Sequence, residues 1–87
     1  MLKVYAADWC PHCRAAIAFL KKHGIPFRVI DMDSADPETT ARIVKVNGGD
    51  DWVVPTLEYN GKWRPGEIFN EVKFADDLRK LGIELKC

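Results

Sequence analysis

The chain changes hydrophobic period several times, and each change marks an element. The opening run "LKVYA" (2–6) is rich in β-forming residues and predicts a short strand. A helical period follows over "PHCRAAIAFLKKH" (11–23), where Cys13, Ala16, Ile17 and Leu20 fall on one face. Pro11 suits the first helical position, Lys21, Lys22 and His23 suit the negative end of the helix dipole, and Gly24 supplies the stop. "IPFRVIDMD" (25–33) predicts a second strand, with Phe27 and Val29 on one face and Arg28 and Ile30 on the other. Ser34 or Asp36 can cap a second helix through "PETTARIVKVN", with Ala41, Val44 and Ile43 as candidate inward residues. "VVPTLEY" (53–59) predicts a third strand, and Asn60-Gly61 is a hairpin signal returning the chain into "KWR" (62–64). A last helix is expected near 67–81, burying Phe74, Leu78 and Leu81 before Gly82.

The resulting order is β-α-β-α-β-β-α. The first two strands are expected to be parallel, because a helical crossover packs back on the sheet. The last two form an antiparallel hairpin. Eighty-seven residues leave room for one domain, 1–87.

Composition narrows the functional classes. Lys plus Arg balances Asp plus Glu at 13 each, so nothing in the net charge argues for nucleic acid or an anionic membrane. No apolar run approaches the roughly 20 residues of a membrane span. The start lacks the apolar core of a signal peptide, so the cytoplasm is the expected location. Three cysteines, two of them three apart, do not make the framework of a small secreted protein. The third, Cys87, reads as a tail thiol.

The chemistry concentrates in "ADWCPHCRAA" (7–16). Cys10 stands where a helix N-cap belongs, so its sulfur can accept backbone N–H groups above the positive end of the helix dipole. A thiol of ordinary pKa is only about 3% ionised at pH 7, whereas Cys-x-x-Cys thiols can fall to roughly 3.5–7. Cys10 is therefore the candidate nucleophile, and Cys13, one turn inside, the candidate resolving thiol. Two readings of His12 stand side by side: an imidazole that tunes the Cys10 thiolate, or an exposed polar residue on the first turn. Asp8 would oppose such tuning, or is a solvated loop residue. Trp9 either packs under the loop or forms an apolar docking surface beside the sulfur. Structural zinc needs four ligands, and no second Cys-x-x-Cys exists to complete a tetrahedron. An iron–sulfur cluster bridged between two chains through Cys10 is the alternative function.

With "WCPHC" near the N-terminus, "NGG" (47–49) and "VPT" (54–56) in this order of elements, the sequence resembles the glutaredoxin group of the thioredoxin superfamily over nearly its whole length. The resemblance implies an α/β, thioredoxin-like fold with a four-stranded mixed sheet, order 2-1-3-4, flanked by helices. It implies that Pro55 is cis and faces the cysteines, and that the Val54 backbone pairs with a substrate segment like an added strand. It also implies a thiol–disulfide oxidoreductase acting on disulfide-containing client proteins or mixed disulfides. Such a protein is expected as a monomer and needs no bound cofactor.

The departures from the family pattern bear on the electron donor. Ala7 stands where glutathione-binding glutaredoxins usually carry a lysine. Near the last helix, where they carry a glycine pair and an acidic pair, this chain has "PGEIF" (65–69), with Glu67 as the sole acid. Arg14, Lys45 and Arg64 are the cations available to compensate. The donor is accordingly glutathione, another low-molecular-weight thiol, or a flavoprotein of the thioredoxin reductase type. "NGG…VPT" and "RPGE" also look like mycoredoxins and the redoxin donors of ribonucleotide reductase. Cys-Pro-His-Cys itself is the active-site sequence of an oxidising periplasmic member of the superfamily, whose helical insertion has no room here.

Overall fold

A computed structural model describes residues 1–85; Cys87, expected as a tail thiol, lies outside the described residues. The elements run β1 (Leu2–Ala6), α1 (Pro11–Lys22), β2 (Phe27–Asp31), a 3-10 turn (Met32–Ser34), α2 (Pro37–Val46), β3 (Thr56–Tyr59), β4 (Lys62–Arg64) and α3 (Glu71–Leu81). The sheet order is β2-β1-β3-β4. β1 pairs parallel with β2 and antiparallel with β3, with Val4 opposite both Val29 and Leu57. β3 and β4 close an antiparallel hairpin, in which Glu58 faces Trp63. Asn60 and Gly61 take positive φ values of 49° and 81°, the turn that two adjacent strands of this twist require. The thioredoxin-like α/β architecture expected from the sequence is thus the one observed.

Leu2, Val4, Leu20, Ile43, Leu57, Phe74 and Leu78 form the fully buried centre of the core. Burying such side chains supplies about 1.5–3 kcal/mol each and is the main force holding the helices to the sheet. Phe74 anchors an aromatic cluster, with Phe19 edge-on at 5.3 Å and Phe69 at 5.3 Å. Among the described residues, no helix is long and apolar enough to cross a membrane.

Several element limits differ from the sequence reading, each for a local reason. β2 stops at Asp31, whose carboxylate accepts the Asp33 N–H and the Ser34 hydroxyl and turns the chain into the 3-10 turn, burying Met32. Val29, beside the fully buried Val4, is itself 45% exposed, because β2 is an edge strand with a neighbour on one flank only. In α2 the inward residue is Ile43, while Ala41 is exposed. Phe19 of α1 is buried as well, and Ile17 only half-buried. β3 begins at Thr56, not Val53. α3 begins at Glu71, four residues later than expected, because Asn70 is its N-cap and accepts the Lys73 N–H at 3.0 Å.

Candidate active site

The turn from β1 into α1 builds the sulfur site. Ala7 is buried at the end of the strand, and its carbonyl accepts the Cys10 N–H at 3.1 Å, closing the turn. Cys10 is the N-cap of α1, with extended backbone (φ −87°, ψ 114°), and its Sγ accepts the Cys13 N–H at 3.4 Å. Pro11 takes the first helical position, where a missing N–H costs nothing. A helix start of this kind favours a thiolate sulfur over any neutral cap, through its unpaired N–H groups and its dipole. Cys10 and Cys13 are both free thiols, and both are buried. Burial above all pushes the Cys13 thiol up to about 12; a hydrogen bond from the Ala7 backbone works against this, and the neighbouring Cys10 adds to it. The two sulfurs are thus chemically unequal. Cys10 caps the helix and accepts a backbone N–H, whereas Cys13 is buried one turn inside with its thiol pushed up.

The second wall of the site comes from the approach to β3. The Val54–Pro55 peptide bond is cis, and the Val54 carbonyl accepts the Cys10 thiol at 3.8 Å. Three side chains hold this approach in place. Thr56, fully buried, donates its hydroxyl to the Val53 carbonyl at 2.6 Å. Asn47, the C-cap of α2, donates its amide to Thr56 Oγ1 at 3.0 Å and to the Ile43 carbonyl at 2.9 Å. Arg64, only 5% exposed, donates to the Pro55 carbonyl at 3.1 Å and to Asp77 at 3.0 Å. Burial disfavours the Asp77 carboxylate, but Arg64 and then Lys73 overcome it and hold Asp77 below the usual carboxylate range.

The third wall is the segment 65–70 between β4 and α3. The Gly66 N–H donates to Asn47 Oδ1 at 2.8 Å, and its Cα lies so close to Val53 that a Cβ would stand 2.7 Å from the Val53 carbonyl. At the other end, the Phe69 N–H donates to His12 Nδ1 at 3.0 Å.

The remaining residues singled out from the sequence take varied positions. Trp9 is 61% exposed, its indole N–H bonded to Asp33 at 3.0 Å and its ring 6.3 Å from that of Trp52. Arg14 donates twice to the Asp8 carbonyl, at 2.7 and 3.0 Å, so its guanidinium braces the loop before Cys10. Glu67 is paired with Lys73 at 3.0 Å and Arg64 at 3.6 Å. Glu67, then Asp77, pushes the Lys73 ammonium up. Arg64, one of the cations counted as available for a substrate, is buried and committed to protein partners instead. Among the described residues, no three His, Cys, Asp or Glu side chains gather to hold a metal ion.

Sequence reasoning passed over the Asn47–Thr56–Gly66 network and the Arg64–Asp77 pair. A signal for the latter was present. Asp77 falls on the same helical stripe as Phe74, Leu78 and Leu81, and a carboxylate on an apolar face implies a buried partner.

A mixed sheet of this order, with a dithiol capping the first helix opposite a cis proline, defines a thioredoxin-fold protein with a redox-active cysteine pair. The glutaredoxin family profile matches residues 2–63, and the chain belongs to that family. Mycoredoxin 1 of Corynebacterium glutamicum is 39% identical over 57 residues, covering 66% of this chain and 67% of the relative. Among solved structures, a glutaredoxin of Archaeoglobus fulgidus superposes with a TM-score of 0.69 at 28% identity, covering 90% of this chain and 85% of its own. A buckwheat glutaredoxin–glutathione complex shares the fold, with a TM-score of 0.65 at 18% identity, covering 93% of this chain and 69% of its own.

Proposed function

We propose that the protein is a thiol–disulfide oxidoreductase that reduces protein or mixed disulfides through Cys10 and Cys13. The observation that carries this reading is the Cys10 sulfur, held at the helix N-cap by the Cys13 N–H and facing the Val54 carbonyl. The Cys10 thiolate attacks one sulfur of the substrate disulfide. The substrate S–S bond breaks, and its other sulfur leaves as a thiolate that takes a proton. Cys13 then gives up its proton and attacks Cys10 in the mixed disulfide, forming the Cys10–Cys13 bond and releasing the second substrate thiol. Two electrons pass from the dithiol to the substrate, and an external thiol or flavoprotein returns them.

The raised Cys13 thiol supports this division of labour, because a protonated resolving sulfur does not compete for the first attack. The backbone of Val54 receives the substrate chain as an extra strand, with Pro55 behind it and Trp9 flanking the sulfur. The substrate is thus an extended peptide segment bearing a disulfide, or a small mixed disulfide presented the same way.

Two observations weigh against glutathione as the preferred electron donor. Ala7 is buried and carries no charge for a carboxylate, and Glu67, the acid nearest the family's ammonium site, is already neutralised by Lys73 and Arg64. A different low-molecular-weight thiol or a reductase of the thioredoxin reductase type fits better, in a reducing compartment such as the cytoplasm. Reduction of a dithiol-coupled peptide disulfide, followed with glutathione and with thioredoxin reductase as alternative donors, tests the reading. The expected result is turnover that disappears in Cys10→Ser and is faster with the reductase than with glutathione. An unaltered rate in Cys10→Ser would end it.

A further inference from the structure

We propose that His12 is a positioning residue that fastens the 65–70 segment over the dithiol, and that it does so as a neutral imidazole. The segment needs such a fastening. Among the described residues, no backbone carbonyl accepts an N–H from residues 66–69. Two of these N–H groups bond to side chains on other elements instead: Gly66 to Asn47 Oδ1, and Phe69 to His12 Nδ1 at 3.0 Å. His12 sits in the first turn of α1 between the two cysteines, so the motif that carries the sulfurs also anchors the wall opposite them.

The chemistry of the bond fixes the form of the ring. Nδ1 accepts here, and an imidazolium has a proton on both nitrogens and nothing to accept with. The contact therefore requires the tautomer protonated on Nε2. While it stands, His12 places no positive charge beside Cys10, and its contribution is geometric. Phe69 makes the placement matter, since its ring packs on Phe74 at 5.3 Å and Phe19 at 6.3 Å and couples the segment to the core. Ile68, the residue just before it, is 74% exposed on this wall. This role rests on the oxidoreductase reading only in that the wall borders the substrate cleft.

The experiment compares the parent with His12→Asn and His12→Leu. Asn places an oxygen acceptor at the same bond distance from Cβ as Nδ1, and Leu offers none. In the reduced parent, nitrogen NMR at neutral pH is expected to show Nδ1 bare and Nε2 protonated. Phe69 amide exchange is expected to quicken about fivefold in His12→Leu, the change due to one hydrogen bond, and to stay near the parent value in His12→Asn. KM for a peptide mixed disulfide should then be higher in His12→Leu than in His12→Asn. A ring protonated on Nδ1, or equal Phe69 exchange in all three proteins, would overturn the proposal. So would identical KM changes in the two variants. The NMR readouts need no substrate, so a parent that reduces no disulfide would refute the oxidoreductase reading and leave this one to its own test. The tautomer is read on the parent and decides the matter even if His12→Leu fails to fold.

Discussion

Gly66→Ala is the substitution whose cost the geometry defines best. The glycine has no φ in the left-handed region, so alanine suffers no backbone strain there. Its Cβ, however, would stand 2.5 Å from Val53 Cγ1 and 2.7 Å from both the carbonyl carbon and oxygen of Val53. The methyl tip of Val53 can rotate away, but the carbonyl cannot. Raising 2.7 Å to the 3.4 Å of ordinary contact moves the two segments apart by about 0.7 Å (3.4 − 2.7). The same displacement stretches the 2.8 Å bond from the Gly66 N–H to Asn47 toward 3.5 Å, where it ceases to be one. Overpacking costs about 1–3 kcal/mol and the lost bond about 1, while the stiffer unfolded chain returns about 0.4–1. The net expectation is about 2 kcal/mol, or roughly 8–16 °C in Tm for a domain of this size. Because Val53 precedes the carbonyl that faces Cys10, kcat/KM for a peptide disulfide should also fall, by about tenfold. Urea unfolding and a disulfide-reduction assay measure the two effects. Gly61→Ala is the control: it sits at φ 81° with open space around it, so it loses about 1 kcal/mol of turn stability and leaves reduction intact. Parental stability and full activity in Gly66→Ala would refute the reasoning.

Asp77→Asn should cost about 3 kcal/mol at neutral pH, since it takes from the buried Arg64 its hydrogen-bonded carboxylate and leaves only the longer 3.6 Å contact to Glu67. The pH profile carries the sign. A carboxyl held below its ordinary value stabilises the fold above about pH 4, and that contribution is lost as pH falls through the folded pKa. Acid unfolding should therefore be steeper in the parent than in Asp77→Asn, and parallel profiles would count against the pair. Trp9→Ala should raise KM for a peptide disulfide about fivefold while changing stability by less than about 0.5 kcal/mol, because the ring is mostly exposed. Steady-state kinetics with a parallel urea titration checks both, and an unchanged KM would remove Trp9 from the docking surface.

Local signals made much of this fold legible. Pro11 and Pro37 start their helices where proline is tolerated, Asp36 caps the second, and Asn60-Gly61 makes the hairpin. These are effects of a few neighbouring residues, so a sequence displays them directly. Tertiary partners decided the rest. "EIF" (67–69) has the look of a helix start, yet bonds from Gly66 to Asn47 and from Phe69 to His12 tie this stretch to other elements, and the helix begins only after Asn70 caps it. The alternation of β2 sets which residues share a face but not how far each is covered, and Val29 is left 45% exposed because β2 lies at the sheet edge. In the site, the dithiol was plain because its chemistry lies within four residues. The supports of Pro55 were not, because Arg64, Asp77, Asn47 and Thr56 come from four separate elements.

The central claim is that Cys10 attacks and Cys13 resolves. Cys13→Ser, mixed with an excess of a peptide disulfide and analysed by peptide mass mapping, tests it most directly. The account predicts a stable mixed disulfide at one equivalent per chain, located on Cys10, that the parent resolves into a Cys10–Cys13 bond. An adduct carried by Cys87, or no adduct at all, would contradict it.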